Sequence, residues 1–170
     1  MAKKFTPTET QIRKSVLGVC YEIDQMIGAF SKCCETTDTI IKNACLESSL
    51  IHTRILRDFF NHTKRNKDYQ DVLAIDFGFP ECLVTLPDGV NERLNKDLAH
   101  LTYQSVERPL TEKKWNPQDF KDLFKCCKEF CEFLLKKNWL DESARCKLSY
   151  LHKILSQNVA EQDGQAQVGP

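Results

Sequence analysis

Arg93, Asp97 and His100 stand at positions i, i+4 and i+7 of one amphipathic stretch. At 3.6 residues per turn, positions seven apart differ by only about 20°. Arg93 and His100 therefore share a helical face, with Asp97 between them. Val90, Leu94, Leu98 and Leu101 form the adjoining apolar stripe. The three polar residues thus border the buried face, where a side chain is held in place yet stays reachable. An unperturbed imidazole titrates near neutrality, so His100 suits proton transfer. Arginine is permanently charged, and its planar fork matches a phosphate. Together the two residue types could cleave RNA without a metal. The imidazole would move a proton to or from the ribose hydroxyl or the leaving oxygen. The guanidinium would stabilise the charge that develops on the phosphate. The plainer reading is also open: Arg93–Asp97 as a surface ion pair, and His100 as a residue that meets the last carbonyls of its helix.

Two further arginines precede a histidine at comparable spacing. Arg57-Asp-Phe-Phe-Asn-His62 has four intervening residues, and Arg145 to His152 has six. On a continuous helix Arg57 and His62 would stand about 140° apart. His62 falls at the predicted end of its helix, where the chain can turn, so Arg57 and His62 form the second candidate pair. The basic run Lys64-Arg65-Asn-Lys67 follows at once. It offers either phosphate contacts or ordinary solvated loop charge.

These residues carry a resemblance. Arg, a spacer of four to six residues and His resemble the motif of the HEPN superfamily of small helical bundles. The stretch from Arg93 to His100 is the primary match. The long helical hairpin before it and the helices after it are also similar, over residues 9–155. In that superfamily a polar residue, commonly Asn, often follows the Arg directly; here Leu94 does, and Asn95 comes next. The resemblance implies a metal-independent endoribonuclease, or an RNA- or nucleotide-binding relative, of a toxin or antiphage system. Arg93, His100 and Asp97 would be its catalytic residues, and Lys64, Arg65 and Lys67 its substrate-binding ones. It further implies a homodimer whose paired motif helices form one composite site, and a protein partner such as an antitoxin. No cofactor or metal is expected. The alternative is a noncatalytic helical module for protein–protein interaction.

Such a motif needs helices to position it, and the sequence supplies four to five. Thr8 and Gln11 form a capping box for a first helix with the stripe Ile12, Val16, Val19, Ile23, Ile27 and Phe30. Asp38 caps a second, running to about residue 61, with Ile41, Ala44, Ser48, Ile51, Ile55 and Phe59 as its expected buried stripe. A long irregular crossover of residues 62–89 then carries Phe77, Gly78, Phe79 and Pro80, and turn chemistry at Pro87-Asp-Gly89 closes it. A third helix is expected from Val90 to about residue 104. Asn116-Pro117 starts a fourth, with Phe120, Leu123, Phe124, Cys127, Phe130, Cys131 and Leu134 facing inward. Asp141 caps a fifth, with Ala144, Leu148, Leu151 and Leu155. Trp115 and Trp139, which flank the fourth helix, are expected to anchor packing. The fold class is all-α: one bundle over residues 1–159 and a disordered Gln- and Gly-containing tail over 160–170.

Composition narrows the function classes. The 170 residues carry zero formal net charge, which argues against a strongly cationic nucleic-acid or membrane binder. Lys3 and Lys4 are followed by no apolar run, and nothing approaches the roughly 20 apolar residues of a membrane span, so a cytoplasmic protein is expected. Nine cysteines are an odd number without any C-x-x-C pair. They read as mostly reduced, small buried hydrophobes rather than as a zinc site or a disulfide framework. A Gly-rich phosphate loop ending in Lys-Ser/Thr is lacking, which excludes P-loop nucleotide hydrolysis.

Overall fold

Thr8 begins α1 (Glu9–Glu35) with the predicted capping box: its hydroxyl accepts from the Gln11 amide at 3.2 Å, and its own amide donates to Gln11 Oε1 at 2.8 Å. Asp38 begins α2 (Thr39–Asn61) by accepting from the Ile40 and Ile41 amides at 2.9 and 3.0 Å. The computed structural model describes residues 5–62, 70–96 and 115–165. Among the described residues, three more helices follow: α3 (Val90–Lys96), α4 (Lys121–Leu135) and α5 (Glu142–Gln165). Asn116 and Asp141 supply the expected caps, through the Gln118 and Ala144 amides. The chain is all-α, and no strand occurs among the described residues. No helix among them is long and apolar enough to cross a membrane.

Two antiparallel hairpins make the bundle. In the first, α1 packs on α2, tied by Ser49 Oγ donating to the Met26 carbonyl at 2.8 Å and by His52 Nδ1 against Glu22 Oε2 at 2.6 Å. In the second, α4 packs on α5, and Arg145 donates to the Leu135 and Lys137 carbonyls at the end of α4. A cation placed there satisfies carbonyls that the helix leaves unpaired. The hairpins meet along α1 and α5, where Lys147 Nζ lies 2.8 Å from Asp24 Oδ2.

The core follows the predicted stripes on α1, α4 and α5. Val16, Val19 and Ile23 are buried, as are all seven residues named on α4 and its 3-10 lead-in, and all four on α5. On α2 the expectation is corrected. The buried residues are Ser49, Leu50, Thr53, Leu56, Arg57, Phe59 and Phe60, while Ile41, Ile51 and Ile55 are exposed. This helix carries two apolar stripes about 150° apart. The one holding Leu50, Leu56 and Phe60 faces inward, and there the Phe60 ring meets Phe130. Rings of Phe59, Phe60, Phe77 and Phe79 surround Phe130 at centroid distances of 5.2 to 5.9 Å, all edge-on.

That cluster explains the crossover. Residues 70–89 are irregular apart from a 3-10 turn, Ala74–Phe77, closed by Gly78 in the left-handed region (φ 71°). Only glycine adopts that conformation without strain. The turn drives Phe77 and Phe79 into the core beside Phe130. At the other end of the chain, α5 continues to Gln165, into the stretch read from sequence as the tail. Residues 166–170 lie outside the described set.

Among the cysteines, Cys82 on the crossover and Cys126 on α4 form a disulfide, and the other seven are thiols. The expectation of mostly reduced cysteines therefore needs one amendment. Burial pushes the Cys20 thiol up to about 12, and raises those of Cys127 and Cys131. Exposed Cys146 is raised by its hydrogen bond to Glu142. Because the thiolate is the nucleophile, iodoacetamide at neutral pH should leave Cys20, Cys127 and Cys131 unlabelled until the chain unfolds. Glu142→Gln should speed labelling of Cys146 severalfold. Peptide mass mapping reads both, and rapid native labelling of Cys131 would contradict the burial argument.

Candidate functional site

The C-terminal turn of α2 brings together a dense set of polar side chains. Arg57 is only 8% exposed. Its Nε and Nη2 donate to Asp58 Oδ1 at 3.0 and 2.7 Å, its Nη2 also donates to Asn95 Oδ1 at 3.3 Å, and its Nη1 donates to Asn91 Oδ1. Asn91 and Asn95 are one turn apart on α3, so a single face of that helix receives the guanidinium. This explains how a charged residue tolerates the edge of the core: a buried cation needs a counter-charge and satisfied donors.

The same turn fixes His62. The helix ends at Asn61, and His62 takes a non-helical conformation (φ −83°, ψ 94°). Its Nδ1 lies 2.7 Å from the Asp58 carbonyl oxygen. A carbonyl can only accept, so Nδ1 carries the proton and Nε2 is the basic nitrogen of the neutral ring. Asp58 thus holds both members of the four-residue motif, Arg57 through its carboxylate and His62 through its main chain. It is also the polar residue directly after the Arg, the position that Leu94 fills in the primary match.

Beside Arg57 opens a cavity of about 270 Å³, lined by Arg57, Asp58, Asn61, Val84, Leu86 and Asn91. The wall of Val84 and Leu86 is fixed by Asn61, whose side-chain amide donates to the Val84 carbonyl at 3.0 Å while its oxygen accepts from the Val84 amide at 2.8 Å. Among the described residues, four of the five guanidinium N–H donors of Arg57 are engaged, leaving one on Nη1. Asn91 and Asn95 accept through their oxygens, so each keeps an NH2 group as donor. Arg57, Asn91 and Asn95 thus offer hydrogen-bond donors that suit the non-bridging oxygens of a phosphate, while the Asp58 carboxylate on the same lining can only accept.

The primary motif is placed only in part. Arg93 is half-buried on the side of α3 away from Asn91 and Asn95, and its guanidinium carbon lies 3.9 Å from the centroid of the Trp115 ring. This is cation–π stacking geometry. Trp115 in turn stacks on Phe120, in keeping with its expected role in packing. Asp97 and His100 lie outside the described residues, as do Lys64, Arg65 and Lys67. Arg145 is occupied by the carbonyls at the end of α4, which sets the third Arg–His spacing aside as a structural contact.

A larger cavity, about 490 Å³, runs between α1, α2 and residues 71–73. Its floor is apolar, through Val19, Leu56, Phe59 and Leu73, and Asp58 reaches its rim as well. No group of three or more His, Cys, Asp or Glu side chains among the described residues is placed to hold a metal ion. The residues that sequence reasoning missed are Asp58, Asn61 and Asn91. The signals available were the polar residue after Arg57 and the i, i+4 repeat of Asn91 and Asn95. No family model, no curated protein and no solved structure matches this chain.

Proposed function

We propose that this chain is a HEPN-like, metal-independent endoribonuclease, or an RNA- or nucleotide-binding relative of one, acting in the cytoplasm as part of a toxin or antiphage system. The observation that supports this reading is the double role of Asp58, which holds Arg57 and His62 together at the end of a long helical hairpin. In the proposed reaction His62 Nε2 takes the proton of a ribose 2′-hydroxyl. The oxygen attacks the adjacent phosphorus, the bond from phosphorus to the 5′-oxygen of the next nucleotide breaks, and that oxygen leaves with a proton from solvent, to which His62 returns the one it took. Arg57 and the amides of Asn91 and Asn95 receive the charge on the phosphate oxygens. Lys64, Arg65 and Lys67, which follow His62 in sequence, would bind the flanking phosphates. Arg93, Asp97 and His100 are the rival set. The test is cleavage of single-stranded RNA by purified protein in EDTA, and absence of both cleavage and RNA binding would overturn the reading.

A second reading, a noncatalytic interaction module, is favoured by a different observation. Ile40, Ile41, Ile51 and Ile55 on α2, with Leu17 and Tyr21 on α1, leave the outer face of the first hairpin apolar and exposed. Large apolar side chains left exposed on a helical hairpin offer surface for association. A second copy of the chain is the partner we propose, which also suits the composite site implied by the HEPN resemblance. The wild type should sediment as a dimer. Ile51→Lys combined with Ile55→Lys should give a monomer of unchanged helicity by circular dichroism. A monomeric wild type would remove the basis for this interface.

A further inference from the structure

We propose that the Cys82–Cys126 disulfide is a redox latch on the wall of the Arg57 cavity; its consequence for RNA rests on the Arg57–His62 reading. Cys82 and Cys126 are 44 residues apart in sequence, and the bond ties the crossover to α4. Two residues after Cys82, Val84 is gripped by Asn61, and Val84 and Leu86 form one side of the cavity. Among the described residues, 81–86 make no backbone–backbone hydrogen bond. Among the described residues the wall is held by the packing of Val84 and Leu86 on the core, by the Asn61 pair and by the disulfide. Only the last can be made and broken by chemistry.

The surroundings suit a bond that exchanges with outside thiols and not with its neighbours. Cys126 is buried and Cys82 is partly exposed, so Cys82 is the end of the bond nearer to solvent and to an external thiolate. Cys127, next in sequence, and Cys131, one turn beyond it, are the thiols nearest to Cys126 along α4. Both are kept protonated by burial, and a protonated thiol does not attack. The reductant is a dithiol. Its first thiolate attacks Cys82 Sγ, the S–S bond breaks, and Cys126 leaves with the electron pair and takes a proton. The dithiol's second thiolate then attacks its own sulfur in the mixed disulfide and expels Cys82, which is protonated in turn. Two electrons and two protons pass from the dithiol to the protein, and the dithiol ends as its own disulfide. Oxidised, the wall is tied to α4 beside Arg57; reduced, it keeps the Asn61 pair and the packing of Val84 and Leu86 but loses its covalent tie.

The test uses the full chain, air-oxidised or reduced with dithiothreitol, and follows amide hydrogen exchange by NMR. Mapping of the oxidised protein should find Cys82 linked to Cys126. The Val84 amide, which donates to Asn61, should exchange about 10-fold faster or more after reduction, as expected when a local opening is released. The Leu151 amide in α5 should not change. Cys82→Ser should reproduce the reduced state under air. An oxidised sample without the Cys82–Cys126 linkage, equal Val84 exchange in both forms, or equal acceleration of Val84 and Leu151 would each overturn the latch. RNA assays on the same two samples separate the ideas. Loosening of Val84 in a protein that never touches RNA keeps the latch and removes the nuclease. Equal cleavage by both forms with Val84 unchanged does the reverse.

Discussion

His62→Ala is expected to lower RNA cleavage in EDTA by about 100- to 10,000-fold, the range typical of losing a general acid or base. Arg57→Lys should lower it about 100- to 1,000-fold, as when a transition-state donor is removed. Lysine keeps the charge but cannot reach Asp58, Asn91 and Asn95 at once, because it lacks the planar fork. Helicity and unfolding midpoint should stay close to wild type for His62→Ala, since the ring lies at a helix end and is only partly buried. His152→Ala should cleave normally. His100→Ala and Arg93→Ala decide between the motifs: if they abolish cleavage while His62→Ala does not, the site belongs on α3 and the Arg57 cluster is only a structural clamp. Arg93→Ala has its own signature, because it uncovers the Trp115 ring and should change tryptophan fluorescence even where activity survives.

The contrast between the two motifs shows how far sequence reasoning reaches here. Caps, stripes and breaks follow from local chemistry, and so Thr8, Asp38, Asn116 and Asp141 begin helices where they should. Periodicity also placed Phe130 and its neighbours on α4 inward. It failed on α2 because two apolar stripes compete there. The choice depends on volumes contributed by Phe77 and Phe79 from a segment with no period of its own. The Arg57 site was hidden for a related reason. A helical wheel separates Arg57 from His62, and only the end of the helix at Asn61 lets one residue, Asp58, hold both. Asn91 and Asn95 are meaningful only once α3 is known to cross that end. Cys82 and Cys126 follow the same logic. Their spacing signals nothing, and the aromatic packing of the crossover on α4 is what brings them together.

Phe130→Ala should therefore be the most destabilising single change in the chain. A large-to-small substitution at a fully buried phenylalanine costs about 3 to 5 kcal/mol, because the lost burial is joined by a cavity that the surroundings cannot close. Here the surroundings are four edge-on rings from two other elements, α2 and the crossover. Rings held by one another relax poorly, which puts the expectation toward the upper end of that range. Domains of this kind are stable by about 5 to 15 kcal/mol, so the variant should be marginal. With a urea slope of about 2 kcal/mol per molar, its midpoint should fall by roughly 2 M. Phe133→Ala is the control. Its ring is half-buried and meets Phe79 at 5.3 Å from the outer side, so its cost should be well under half as large. Hydrogen exchange then tests the architecture behind the number. If Phe130 is what pins the crossover, its removal should release the Gly78 amide, which closes the Ala74–Phe77 turn, before it releases Leu148 or Leu151 on α5. Uniform loosening would mean that the crossover is part of the same cooperative unit as the helices, and a loss under about 1 kcal/mol would mean that the aromatic cluster does not organise the core.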